Sequence, residues 1–451
     1  MFSTLPPPNR SSLALLGAAV LTASVVSGCT PSSTPSANAG DAGVRISTGT
    51  PQGVRAQQIM DMLNSGWPIG PDGTRTLADP DLVEYVWLTM DSMWYDRPYT
   101  LAGVDYGAGT AKLRLVTSYG GRQDIEIRVD QDSTLLDRFR VTNQPPQIDS
   151  WDDVDAALSK IGGKYSYRVS KVNNGRCVQV AGSNTAETLP LASIFKTYVL
   201  YAVADAARAG TLSWDEELTI TSEAKAVGSS GFDKLAPGSR VPVRLLAEKM
   251  IANSDNMATD LLIDRVGHQA VERALASTGH HDPASMTPFP TMHELFSIGW
   301  GKPDVREEWR NATPARRAEL LEATNSRPYQ PDPTRNTSPA SAFGAEWYGN
   351  AEDICRVHAA LQQIALDPAA APVRDIMSAI PGIDLDPQQW PYIGAKAGNL
   401  PGDLTFSWYA EDRTGQGWVV SLQTNFPRFH GPGTAGWLMS VIKPMFAMIE
   451  P

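Results

Sequence analysis

Hydrophobic positions change their spacing several times along the chain, and each change marks an element. An uncharged apolar run from Leu13 to Val26 comes first, too short to span a bilayer comfortably as a permanent helix. From Thr30 to about Gly53 the chain is Ser, Thr, Pro, Ala, Asn and Gly with almost nothing to bury, which is the composition of a flexible tether. Val54 to Leu63 then carries Ile59, Met60, Met62 and Leu63 at helical spacing, and Leu82 to Met93 continues in that style. Ala111 to Ser118 alternates, with Leu113, Leu115 and Thr117 on one face. Gly120-Gly121 turns the chain, and Ile125 to Val129 alternates again, which predicts a hairpin. Helices followed by antiparallel strands predict a small α+β domain over residues 54–146, with Asn143 to Gln147 as the linker out.

The pattern restarts at Trp151. A short helix over Trp151 to Ile161 leads into strands Tyr165 to Val172 and Cys177 to Ala181, and a long helical region opens at Ser193. Strands Leu404 to Tyr409 and Gly417 to Gln423 and a helix from about Thr434 to Ile449 end the chain. Strands at both ends of a helical middle predict one sheet closed by the N- and C-terminal segments, an α/β sandwich over residues 147–451.

Composition narrows the function classes. The formal charge is −11 and no Lys/Arg cluster occurs, so nucleic acid is not an expected partner, because neutralising phosphates needs concentrated positive charge. Three cysteines are too few for a disulfide scaffold or a multi-Cys metal site. The six histidines show no H-E-x-x-H spacing, and His280-His281 sits in a polar stretch where solvation is expected rather than metal ligation. No metal and no cofactor is expected. Arg10 precedes the first apolar run and Val26-Ser27-Gly28-Cys29 ends it, which resembles a bacterial lipobox. The resemblance implies a lipoprotein signal peptide over 1–28, a tether over 29–53 and lipidation (palmitate) of Cys29. The membrane is then a partner through that lipid, and the protein is held on the outer face of the cytoplasmic membrane in the cell envelope. The alternative is an ordinary signal peptide with an incidental cysteine. Export leaves Cys177 and Cys355 either paired or as two buried thiols, and sequence leaves both open.

Ser193-Ile-Phe-Lys196 is an S-x-x-K tetrad, weak evidence alone, since about two are expected by chance in a chain this long. A second is Ser222-Glu-Ala-Lys225. Context separates them. Ser193 follows Leu189-Pro190-Leu191-Ala192 and opens an apolar helix, so the serine and the lysine three residues on share a face at a positive helix end. Lys196 would otherwise be a charge inside an apolar helix, whereas Ser222 lies in a polar loop. Ser254-Asp255-Asn256 falls between two helical pieces, Leu245 to Ala252 and Met257 to Ile263. There it can act as an N-cap or point polar groups into a cleft. Lys396-Ala397-Gly398 opens the segment that becomes strand Leu404 to Tyr409. A strand-edge lysine with glycine two residues on can bring charge and close backbone to a substrate.

In this order, S-x-x-K, S-D-N and K-A-G resemble the three signatures of class A β-lactamases and penicillin-binding proteins. The run from Gly238 to Gly267 resembles that family's segment around its S-D-N loop. The resemblance covers about Trp151 to the C-terminus. The whole arrangement resembles the LpqF-type lipoproteins of mycobacteria and the β-lactamase-like protein of clavulanic acid gene clusters, whose small domain implies a steroid-isomerase (NTF2-like) fold for residues 54–146. What the resemblance implies is an antiparallel sheet with a helical subdomain, and a serine hydrolase working through an acyl-enzyme. Ser193 would be the nucleophile, Lys196 its base, kept neutral by burial and by the nearby Lys396, and Ser254 would relay the proton to the leaving group. The N–H groups of Ser193 and Asn399 would form the oxyanion hole, Asn256 would hold the acyl amide, and Ala397 and Gly398 would line the substrate. Two departures stand out. Ala397 lacks the family's hydroxyl, and neither Glu294 nor Glu346 falls where the family's deacylating glutamate does; both are expected on a helix surface or at a cap. The expected activity is therefore hydrolysis of an ester or amide, with a small-molecule or cell-wall-derived acyl substrate and poor β-lactam turnover. The alternatives are a true β-lactamase or D,D-peptidase, and a non-catalytic binding lipoprotein that keeps the fold.

Overall fold

The computed structural model describes residues 44–449. Leu13 to Val26, Cys29 and most of the expected tether lie outside the described residues. Among the described residues no helix is long and apolar enough to cross a membrane. Their packing forms two compact units, residues 44–162 with His430–Pro444, and Gly163–Phe429 with residues 445–449.

In the first unit four strands form an antiparallel meander: β1 (Thr100–Gly107), β2 (Thr110–Val116), β3 (Arg122–Val129) and β4 (Leu136–Gln144). The central hairpin is the one the alternation predicts. Leu113, Leu115, Ile125 and Ile127 point to one face, where they bury Ile59 and Leu63 of α1 (Pro51–Leu63) and Val86 and Met90 of α2 (Val83–Trp94). Thr50 caps α1 by accepting from the Gly53 N–H. The edge strands were not foreseen, and the segment read as a linker begins inside one, since Asn143 and Gln144 pair in β4. The reason is physical. Edge strands bury few side chains, and a register shift in each pair, between Leu101 and Gly103 and between Arg128 and Val129, breaks the period of two. The helix expected over Trp151 to Ile161 is α3 (Trp151–Leu158), capped by Ser150, and it lies in this unit.

The second unit is built on a five-stranded antiparallel sheet. Its strands are β5 (Lys164–Asn173), β6 (Arg176–Ser183), β7 (Tyr392–Leu400), β8 (Asp403–Glu411) and β9 (Gly417–Asn425), in the order β7-β8-β9-β5-β6. The two ends of the unit thus meet in one sheet through the β9–β5 pair, as the bracketing pattern predicts. The helical middle includes α4 (Lys196–Arg208), α5 (Val243–Ala252), α6 (Asn256–Val266) and α7 (Ala351–Ile364). Its core gathers Phe195, Val199, Val203, Leu246, Leu262, Leu295, Trp347 and Ile354. Cys177 of β6 and Cys355 of α7 are joined as a disulfide, which settles the choice that sequence left open.

Two placements differ from expectation. Ser193 lies in a 3-10 turn (Ala192–Phe195) that leads into α4, so it precedes the α-helix rather than opening it. Lys396 sits in the middle of β7 rather than before a strand, and β7 is the edge of the sheet. Glycine and alanine at four of the nine positions of β7 hide the alternation there, because small residues carry no polarity signal.

Candidate active site

The apolar helix α4 fixes one side of the site. Phe195 stacks on Trp347 with ring centroids 3.7 Å apart, and Thr197 bonds back to the Ile194 carbonyl at 2.7 Å. Lys196 is thereby held fully buried one turn after Ser193. Its Nζ donates to the Ser254 carbonyl at 2.7 Å, to Ser254 Oγ at 3.2 Å and to Asn256 Oδ1 at 2.8 Å. From the opposite side Lys396 Nζ donates to the same Ser254 Oγ at 3.0 Å and to the Ala397 carbonyl at 2.6 Å. One hydroxyl therefore bridges two buried amines.

Burial pushes the Lys196 amine down to about 7, against the pull of Asp255 and Asp260. Burial, and then the charge of Lys196, push Lys396 well below the ordinary lysine value. Two ammonium groups sharing one oxygen in a dry site repel each other, so at least one amine is neutral near neutral pH.

The S-D-N turn is set by its aspartate. Asp255 is buried and caps α6 through the Ala258 N–H at 2.8 Å. It also accepts from Ser229 Oγ at 2.6 Å and from the N–H groups of Ser230 and Gly231 at 3.0 and 2.8 Å. The cap reading and the cleft reading of this motif both hold, for different residues: Asp255 caps, while Ser254 and Asn256 meet Lys196. Ser254 has φ +54° and Ala192 has φ +43°, left-handed values that cost a non-glycine residue on the order of 1–3 kcal/mol. Both flank the reacting groups.

Gly398 explains the third motif. A Cβ there would overlap the Ser193 backbone nitrogen and come within 2.8 Å of Thr405 Oγ1 and 2.9 Å of the Ala192 Cβ. Strand β7 thus lies directly against the Ser193 turn. Ser407 Oγ donates to the Lys396 carbonyl at 2.8 Å and is paired with His358 Nε2 at 2.9 Å. Thr405 Oγ1 donates to the Leu191 carbonyl at 2.9 Å. Gly398→Ala is therefore expected to separate β7 from the turn and lower any Ser193-dependent activity at least a hundredfold. Circular dichroism beside the assay distinguishes loss of the site from loss of the fold.

The structure brings Ser193, Lys196, Ser254, Asn256, Lys396 and Gly398 together. Ala397 and Asn399 alternate with them on β7 and are exposed. Ser193 Oγ has no hydrogen-bond partner among the described residues. The second tetrad is elsewhere engaged. Lys225 Nζ donates to the carbonyls of Phe232, Asp233 and Leu235, and Ser222 is exposed. Glu294 forms a capping box with Thr291 and accepts from Asn325 at 2.8 Å. Glu346 is neither at a cap nor on a helix surface. It is buried with Asp403, and burial and then the Asp403 charge hold its carboxyl well above the usual range. Asp403 is itself pushed up to about 7 by burial. Each of the two acids keeps one oxygen with no partner, an arrangement that fits a shared proton. His280 is not solvated as expected, for it is buried with Nε2 on the Tyr348 carbonyl, whereas His281 is exposed as expected and is also bonded to Asp353. Sequence reasoning also missed Asp255 as the loop anchor, Thr405, Ser407 and His358; their partners are distant in sequence, and only Asp255 carries a local signal. A cleft of about 680 Å³ lies in the first unit, bounded by Gln57, Met62, Trp67 and Ile69, and no motif residue lines it.

Residues 149–332 match the model of the beta-lactamase enzyme family, and residues 47–135 match the model described as the ORF 12 gene product N-terminal region. The chain is similar to a β-lactamase from Sphaerobacter thermophilus (20% identity, TM-score 0.45, covering 68% of this chain and 100% of that one). It is also similar to the penicillin-binding protein PBP-A (16% identity, TM-score 0.45, 68% and 100%). A third likeness is to the class A β-lactamase reconstructed for the last common ancestor of Gram-negative bacteria (18% identity, TM-score 0.46, 66% and 99%). No curated protein sequence matches the chain.

Proposed function

From the match of residues 149–332 to the model of the beta-lactamase enzyme family, we propose that this chain is a lipid-anchored cell-envelope hydrolase with a β-lactamase-like fold. It cleaves an ester or amide through an acyl-enzyme on Ser193. The observation that carries the reading is the Lys196–Ser254–Lys396 chain of hydrogen bonds beside the Ser193 turn. A serine hydroxyl needs a base at neutral pH, and a dry amine with a lowered pKa is one. The neutral amine of the pair takes the Ser193 proton as Oγ attacks the acyl carbon. Ser254 passes a proton on to the leaving group as the bond to that group breaks. The remaining positive charge and the N–H groups of Ser193 and Asn399 face the developing oxyanion. Asn256 is positioned to hold an acyl amide. The acyl donor is a small molecule or a fragment derived from the cell wall, and the Cys29 lipid holds the protein at the outer face of the cytoplasmic membrane.

Poor β-lactam turnover is part of the proposal. Ala397 offers no hydroxyl to a β-lactam carboxylate, and losing one charge-assisted hydrogen bond costs about 1.5–3 kcal/mol, roughly ten- to a hundredfold in affinity. Simple esters carry no such carboxylate. Glu294 is spent on its cap, and Glu346 on Asp403, so neither is free to activate water on the acyl-enzyme. Steady-state assays with p-nitrophenyl acetate and nitrocefin test this. Ester turnover with slow or undetectable nitrocefin turnover is expected, and efficient nitrocefin hydrolysis would sink the deacylation half of the proposal.

A further inference from the structure

The pair His280-His281 does something the reaction at Ser193 leaves unused. His281 Nε2 meets Thr188 Oγ1 at 3.0 Å, and its Nδ1 is bonded to Asp353 Oδ2. Asp353 is buried and pinned on both oxygens. Oδ1 accepts the His281 N–H at 2.7 Å and Oδ2 accepts the Asn350 N–H at 2.8 Å, inside the capping box that starts α7. A carboxylate facing Nδ1 requires the proton there. Nε2 of neutral His281 is then the acceptor and the Thr188 hydroxyl the donor. This is the order of roles in a hydroxyl nucleophile, a histidine base and an orienting acid.

Three further observations bear on what the arrangement can do. Thr188 is exposed and the His281 side chain is 32% exposed, so a solute reaches them. Strand pairs Pro190–Tyr348 and Leu189–Gly349 run toward Thr188 on one side and Asn350 on the other, which sets Thr188 in register with the start of a 14-residue helix. Its first N–H groups have no intrahelical acceptors and its positive end favours an oxyanion. His280 is fully occupied. Its Nδ1 accepts from the Asp282 N–H at 3.1 Å and its Nε2 donates to the Tyr348 carbonyl at 2.9 Å. The donor atoms of His280, His281 and Asp353 lie within 4.8 Å of one another, yet a metal there would have to break both His280 bonds.

We propose that Thr188, His281 and Asp353 form a second, solvent-facing acyl-acceptor centre, separate from Ser193, that takes the acyl group of an activated ester. Thr188 Oγ1 attacks the carbonyl carbon and forms the new C–O bond while His281 Nε2 takes the hydroxyl proton. The bond to the leaving aryloxide or alkoxide breaks, and His281 returns the proton to that group or to water. The product is an ester on Thr188. Exposure to water keeps the centre slow, so it acts as a stoichiometric acceptor beside the turnover at Ser193.

The test uses the full chain carrying Ser193→Ala, incubated with p-nitrophenyl acetate and followed by intact mass and peptide sequencing. One acetyl group is expected on Thr188. Adding Thr188→Val should abolish it, Thr188→Ser should keep it, and His281→Gln should slow it at least tenfold, with thermal melts showing that each variant is folded. Labelling of the Ser193→Ala chain no faster than that of the Ser193→Ala/Thr188→Val chain, or a rate unchanged by His281→Gln, would overturn the proposal. Failure at Ser193 is read separately, from turnover in chains where Ser193 is intact.

Discussion

Ser193→Ala is expected to lower turnover of small activated esters by on the order of 10³-fold or more, to near the uncatalysed rate. The reason is geometric. Ser193 lies one turn before the buried Lys196 and against the strand that carries Lys396, whereas the second tetrad serine, Ser222, sits on a five-residue helix whose Lys225 is spent on backbone carbonyls. Ser222→Ala should therefore leave the rate intact. The two variants together separate the motif from its chance double. A Ser193→Ala chain that kept its ester turnover would remove Ser193 from the account, whatever the fold. Slow single-event labelling at Thr188 would not count as turnover, because it ends at one equivalent.

Lys196→Met carries the second large effect, because it removes a base without much changing volume. Removing a positioned general base costs about 10²–10⁴ in rate. The wild-type chain should show kcat/KM rising with pH through about 7 as the amine loses its proton, since only the neutral form accepts one. Lys196→Met should flatten that rise. Stability should respond too. The folded-state value of about 7 lies below the unfolded lysine value of about 10.4. Between those limits the unfolded chain holds more protons than the folded one, so stability climbs with pH across that window. The climb should shrink in Lys196→Met, measured as melting temperature against pH. Equal slopes in the two proteins would mean that Lys196 keeps its proton in the folded state.

Much of the site was legible because its signals are local. Ser193 and Lys196 are three residues apart in an apolar setting, and Ser254-Asp255-Asn256 is contiguous between two helices. The closure of one sheet by both ends of the unit also followed from where the alternating segments lie. What was hidden has a physical reason in each case. Strand β7 is rich in glycine and alanine, so the pattern gave Lys396 a place before a strand rather than within one. The 3-10 turn at Ser193 depends on Ala192 at φ +43°, which nothing in an alanine announces. His280 looked solvated because Tyr348, whose carbonyl it meets, is 68 residues away. Glu346 finds Asp403 only once β8 is placed. Pairing across distance is set by the fold, and the local sequence carries no trace of it.

The most direct measurement is the intact mass of the full chain after brief incubation with a fluorophosphonate, followed by peptide sequencing. The account predicts one adduct, on Ser193, formed faster above pH 7 than below it and absent in Ser193→Ala. A chain that stays unmodified, or an adduct that forms first on any other residue, would contradict it.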